Sequence, residues 1–166
     1  YVAMVEECLA TDEGYPYNNY LLAQDDFAAF VQELDDEAHG IGLPSSIPPQ
    51  QTYVLIDAKD VVIGEFRFRP QLQPPYHEYS GHIGYNIRPT YRLQGYATQG
   101  LSLLLNIARA AQLPGVCLTV DEDNAVSRCV IERNGGTVTH QITPDHQGAT
   151  TSCYWIELAP VQSAQM

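Results

Sequence analysis

Residues 82–97 hold the densest chemistry in this chain. His82-Ile83-Gly84-Tyr85-Asn86-Ile87 reads as a strand, and it stops at Arg88-Pro89. Arg92-x-x-Gly95-x-Ala97 follows, and then an amphipathic run with Ala97, Leu101, Leu104, Leu105 and Ala108 on one face. A strand, a glycine turn and a helix start bring main-chain N–H groups together at the positive end of a helix dipole. That combination makes an anion site. Gly95 lets the backbone approach a ligand closely, and Ala97 keeps the first turn slim. The bland alternative is an ordinary strand-to-helix turn. Two other phosphate patterns fail on spacing. No G-x-G-x-x-G follows a strand, and Gly100 is followed by Leu101 and Ser102 rather than by the Lys-Ser/Thr of a P-loop.

The second pattern is Asn124-x-x-Ser127, at the start of a helix expected over 125–133. Asp123 or Asn124 serves there as an N-cap and Ser127 as a first-turn polar residue, and neither role conflicts with touching a ligand. Other reactive residues give weaker signals. His77 and His82 flank Glu78 but do not form H-E-x-x-H, and a strand sends them to opposite faces, so no metal site is expected. Cys8, Cys117, Cys129 and Cys153 contain no C-x-x-C pair. Free, mostly buried thiols in a reducing cytoplasm are the expectation, with Cys129 lacking any base at a diagnostic spacing.

These residues need a scaffold. The pattern predicts a helix over 1–13, a break at 14–19, and a second helix over 25–38 led by Asp25 and Asp26. Strands are expected at 53–57 and 61–69 around the turn Ala58-Lys59-Asp60, and again at 79–87. Residues 71–76 form a proline-rich loop, a possible lid over the substrate side. A helix over 95–112 ends at Pro114-Gly115, an apolar strand occupies 116–120, and strands at 137–141 and 152–158 close the chain. The resulting order is three strands, helix, strand, helix and two strands, in one mixed sheet with helices in front. There is no repeat and no second domain.

With 166 residues the chain suits a single domain, and it has no apolar run of membrane-spanning length. Net charge is −12, with ten carboxylates and no Lys or Arg in the first forty residues. Nucleic acid and anionic membranes are therefore not expected partners. A cationic substrate is compatible with the acidity, although acidity also simply aids solubility. Seven of the eight cations are arginines between Arg67 and Arg133, around the anion site.

In this context residues 82–98 resemble motif A of the GNAT superfamily of N-acetyltransferases. The resemblance implies that Arg92, Leu93, Gln94, Gly95, Tyr96, Ala97 and Thr98 hold the pyrophosphate of acetyl-CoA. It also implies that Tyr85, Asn86 and Ile87 pair with the pantetheine arm. Asn124-x-x-Ser127 is similar to motif B, which implies a bond from Asn124 to the pantetheine or pyrophosphate side of CoA. Arg128 and Arg133 either meet the adenosine phosphates or stay solvated. The stretch 53–136 resembles a little-characterised bacterial branch of the superfamily. Its marks include Gly81-His82-Ile83-Gly84-Tyr85 and Val130-Ile131-Glu132-Arg133-Asn134-Gly135-Gly136, with Tyr154-Trp155-Ile156 beyond it. The implied fold is α/β of the α+β type: one GNAT-like domain over 1–166, with a mixed, mostly antiparallel sheet flanked by helices. Most relatives have seven strands, the first ahead of the first helix. Tyr1 already reads as helical, so that strand is expected to be missing.

The implied activity is transfer of an acetyl group from acetyl-CoA to a primary amine of a small or amino-acid-like molecule. Attack is direct, in a ternary complex, in the bacterial cytoplasm. A non-catalytic CoA-binding sensor and an acyltransferase for longer acyl-CoAs are the alternatives. A homodimer is the partner that the superfamily's C-terminal strands suggest. The chain departs from better-known relatives at three positions. Ile131 stands where many carry a Tyr acid, while Thr119 and Gly81 stand where two branches carry a Glu base. His82 and Glu78 are the expected substitute bases, in that order, followed by Glu65. Tyr154, Tyr85 and Ser127 are the candidate acids.

Overall fold

The computed structural model describes residues 1–11, 19–72, 80–143 and 150–158. Helix α1 (Val2–Leu9) buries Met4, Val5 and Cys8 along one side. Where the sequence predicted one helix from residue 25, there are two: α2 (Tyr20–Asp25) and α3 (Phe27–Ala38). Asp26 separates them in extended conformation and caps α3 by accepting the Ala29 N–H at 3.0 Å. A six-residue helix has too few turns for an apolar stripe, so α2 left no periodic signal.

Strands β1 (Gln51–Ile56), β2 (Val62–Phe68) and β3 (Ile83–Ile87) form an antiparallel sheet in that order. The hairpin between β1 and β2 is held by Asp57, whose carboxylate accepts the N–H groups of Lys59 and Val61. β2 is buried on both faces. Phe66 and Phe68 face the main core, while Glu65 on the opposite face meets Tyr1 at the start of α1.

Helix α4 (Tyr96–Ala110) crosses that core face, burying Leu101, Leu104 and Leu105. Gly100 lies so close to β2 that a Cβ there would come within 2.0 Å of the Phe66 ring. Burying each leucine contributes about 1.5–3 kcal/mol. Then come β4 (Gly115–Asp121), α5 (Ala125–Arg133), β5 (Thr137–Ile142) and β6 (Thr151–Glu157). These three strands make a second antiparallel sheet in the order β4-β6-β5.

The predicted order of strands and helices from residue 51 onward is observed, and the architecture is a mixed α+β fold with antiparallel sheets flanked by helices. The described strands form two three-stranded sheets that meet where β3 faces β4. The strand expected from residue 79 starts at Ile83, because Gly81 takes a left-handed φ of 63° and breaks the extended run. No helix among the described residues is long and apolar enough to cross a membrane.

Candidate functional site

The junction of the two sheets is built from Gly81, His82 and Cys117. His82 N–H donates to the Cys117 carbonyl at 2.7 Å, while His82 C=O accepts from Arg69 N–H at 2.8 Å. A residue in a regular strand sends both groups to the same neighbour. His82 sends one to each sheet, which is the signature of a bulge-like break. The Cys117 N–H is then left without a main-chain carbonyl, and His82 Nδ1 accepts it at 3.0 Å. Beyond this point no ladder joins β3 to β4 among the described residues. A cleft of about 290 Å³ lies between them. Its walls are Ile83, Gly84 and Tyr85 of β3, Leu118 to Asp121 of β4, Asn124, Ser127 and Ile131 on the α5 side, and Thr151 of β6.

The ladder to β2 fixes which β3 groups face the cleft. Arg69 N–H bonds His82 O, and Arg88 N–H bonds Ile63 O. Between those bonds, antiparallel alternation assigns Gly84 and Asn86 to β2 and turns the main-chain groups of Ile83, Tyr85 and Ile87 the other way. Asn86, expected with Tyr85 and Ile87 to pair with the pantetheine arm, turns its main chain to β2. The Asn86 side chain instead braces the strand end, its Oδ1 accepting from Ile87 N–H at 2.8 Å and from Arg92 Nη2 at 3.1 Å.

The loop after β3 follows the expected path. Pro89–Tyr91 form one 3₁₀ turn, Leu93 and Gly95 take left-handed φ values of 57° and 87°, and α4 begins. Gly95 is its N-cap, with no side-chain cap on the first-turn N–H groups of Tyr96, Ala97 and Thr98. A Cβ at Gly95 would meet nothing within 4 Å. Arg92 folds back on the strand that precedes it. Its Nε donates to Ile87 O at 2.7 Å, so its guanidinium is folded onto the strand end. The loop is also tied to α1, where Glu7 accepts from Arg88 Nε at 2.5 Å and from Thr90 N–H at 2.7 Å. Burial pushes the Glu7 carboxyl up, but the bonds from Arg88 and Thr90 outweigh it and hold the group below its ordinary range. Gln94 bonds back to Thr90 O at 3.1 Å.

The candidate acids and bases separate clearly. Tyr85 reaches over the cleft to Ser127, the two hydroxyl oxygens 2.7 Å apart, and burial pushes the phenol up to about 12. Asn124 caps α5 by accepting Ser127 N–H at 3.0 Å, so it serves the helix while lining the cleft. His82 is not placed as a base. With Nδ1 accepting a main-chain N–H, the neutral ring carries its proton on Nε2 and offers a donor. Burial, with the nearby Arg69 adding to it, holds the imidazole below its ordinary range, and an N–H donated to Nδ1 favours the same neutral ring. Glu65 is fully buried, bonded to Tyr1 Oη and Arg67 Nε, each at 2.6 Å. Tyr154 is buried between Arg128 and Glu132 and does not line the cleft. Glu78 lies outside the described residues, as do His77 and the 73–76 part of the proline-rich loop. Sequence reasoning missed Cys117 as the partner of His82 and Thr151 as a cleft residue. Neither stands in a motif, and both reach the site only through sheet register.

The comparisons agree with this geometry. A family model described as an acetyltransferase (GNAT) domain matches residues 13–137. No curated protein matches the sequence. Among solved structures, a chimera of the Vibrio cholerae spermidine N-acetyltransferase SpeG with hSSAT aligns at TM-score 0.64 and 14% identity, over 95% of this chain and 91% of that one. The Vibrio cholerae spermidine N-acetyltransferase in complex with CoA and spermine aligns at TM-score 0.60 and 15% identity, over 87% and 78%. The Salmonella typhimurium protein yncA, solved with its cofactor acetyl-CoA, aligns at TM-score 0.64 and 15% identity, over 99% and 88%. Splayed strands, a left-handed glycine at a helix start and a matching family model over most of the sequence lead to one assignment: this chain belongs to the GNAT acetyltransferase family.

Proposed function

We propose that this protein is an acetyl-CoA-dependent N-acetyltransferase. It moves an acetyl group to a primary amine of a small-molecule or amino-acid-like acceptor by direct attack in a ternary complex. The observation that carries this reading is the cleft between β3 and β4, alongside the strand that ends in the Arg92–Thr98 loop. Its volume, about 290 Å³, suits an acylated pantetheine arm and is too small for a whole coenzyme. The nucleotide phosphates fit outside it, on the uncapped N–H groups behind Gly95. Main-chain groups of Ile83 and Tyr85, turned towards the cleft, suit the amides of such an arm.

When bound, acetyl-CoA supplies an activated thioester carbonyl. The protein's own groups do the rest. Main-chain N–H groups of β3 polarise the carbonyl. The Tyr85–Ser127 hydroxyl pair donates to the leaving sulfur, since a phenol held at about 12 stays protonated at neutral pH. This pair stands in for the Tyr acid that Ile131 replaces. The acceptor ammonium gives up its proton to water or to Glu78. The acceptor enters over the acidic N-terminal helices, and four free thiols suit a reducing cytoplasm.

The test is calorimetric binding of acetyl-CoA together with amine-dependent thiol release over a broad amine panel. Tight binding with turnover on a primary amine supports the reading. Binding without turnover on any amine leaves a sensor, and no binding at all ends the proposal.

A further inference from the structure

The hydrogen bonds of the sheet junction give His82 a structural task. In an unbroken parallel ladder, Cys117 N–H would donate to a main-chain carbonyl of the neighbouring strand. Here Gly81 turns with φ 63°, and a Cβ on it would sit 2.7 Å from Cys117 O. The chain therefore presses onto β4 at Gly81 and swings away after His82. That swing leaves a partly buried N–H on Cys117, and a buried donor without an acceptor is destabilising. The imidazole ring fills the gap: Nδ1 accepts the N–H at 3.0 Å while the same residue's N–H holds Cys117 O at 2.7 Å. One residue thus closes a two-bond ring across the seam.

We propose that His82 is a positioning residue, whose Nδ1 replaces a main-chain carbonyl and so fixes the splay between the two sheets that opens the thioester cleft. The proposal rests on the transferase reading for its kinetic consequence and not for its geometry. The ring must be neutral to do this, because an imidazolium has no lone pair to accept with. The charged group facing it is Arg69, just past the end of β2, which disfavours a second positive charge. Across the seam, burial raises the Cys117 thiol, so Cys117 itself stays neutral, and the carboxylate of β4, Asp121, lies at the far end of the strand, where Thr151 donates to it. Acidification protonates His82, breaks the Cys117 N–H bond and loosens the junction from which Ile83 and Tyr85 extend.

Three substitutions separate this role from that of a base. Asparagine places an amide oxygen near the Nδ1 position, glutamine places its amide near Nε2, and leucine offers neither. H82L is expected to raise the acetyl-CoA KM roughly tenfold or more and to lower kcat, as one buried donor loses its acceptor. H82N is expected to recover most of that loss and to flatten the acid limb of the pH profile, while H82Q does not recover it. Nitrogen-15 NMR of the labelled wild-type protein reads the tautomer directly, with or without acetyl-CoA and whether or not H82L folds. It should show a proton on Nε2 and a bare, hydrogen-bonded Nδ1 at pH 7. A proton on Nδ1, or H82N as inactive as H82L with an unchanged acetyl-CoA KM, overturns the proposal. Failure of the wild type to bind acetyl-CoA would instead sink the transferase reading, while the NMR result still judges the clamp.

Discussion

Tyr85 and Ser127 face each other across the open cleft, their hydroxyl oxygens 2.7 Å apart, joining β3 to the first turn of α5. Tyr85 Oη also lies 3.3 Å from the Ser127 carbonyl oxygen, so the phenol proton has an acceptor there while the Ser127 hydroxyl proton can turn towards the cleft. The pair holds two donors beside the space proposed for the thioester, with Asn124 fixing Ser127 from the other side. Removing either hydroxyl should lower kcat by about 10- to 100-fold and leave the acetyl-CoA KM nearly unchanged. Y85F with S127A together should cost little more than either alone, since the two act as one unit. Steady-state kinetics of the three variants check this, and additive losses would separate the two roles.

The same pair predicts behaviour at high pH. Burial is the largest cause of the upward shift of Tyr85 to about 12, from 10.0, with the Ser127 bond opposing it. The folded value lies above the unfolded one. Its contribution to stability is therefore complete below pH 10 and is lost as pH rises towards 12. Wild type should lose melting temperature faster than Y85F across that window. Parallel curves would show that the phenol does not titrate as placed.

Glu7 gives the opposite sign. Its folded carboxyl is held below the ordinary 4.5, so the stabilisation from Arg88 and Thr90 is present above that value and fades as pH falls through it. E7Q should melt below wild type at neutral pH, and the gap should close in acid. The acetyl-CoA KM of E7Q should rise as well, because Glu7 anchors Thr90 and Arg88 ahead of the Arg92–Thr98 loop. Thermal melts against pH, with kinetics at neutral pH, examine both halves. A gap that persists in acid would count against the ion pair.

How far the sequence reached depends on the range of the interactions. Helices α4 and α5 and the Gly95 turn were legible because caps, stripes and glycine turns are written within a few neighbouring residues. The division into two sheets was not legible. It depends on whether β3 pairs with β4, and alternation within one strand says nothing of its neighbour. His82 shows the limit most sharply. Its partner Cys117 lies 35 positions away, so a ring that completes a ladder reads in sequence as a free imidazole beside a glycine. Arg92 is a milder case: the motif singles the residue out, but its bond to Ile87 O depends on how tightly the loop folds back.

Two glycines separate backbone strain from ligand approach. At Gly95 a Cβ has open space but would carry φ 87°, so G95A should cost about 1–2 kcal/mol in stability from conformation alone. Gly95 is also the N-cap of α4, at the proposed phosphate site, so a shift of the strained turn should raise the acetyl-CoA KM. At Gly81 both penalties concern the seam instead: φ is 63°, and a Cβ would press within 2.7 Å of Cys117 O and 3.0 Å of Leu118 Cα. G81A should therefore push β4 away, break the Cys117 contacts of His82 and destabilise the protein more than G95A does. In any G81A protein that folds, the His82 Nδ1 resonance should lose its hydrogen-bonded signature. In G95A that resonance should stay put. Melting temperatures with imidazole spectra of the two variants distinguish a seam held by close backbone approach from one held by the histidine ring alone, for which G81A would leave the spectrum untouched.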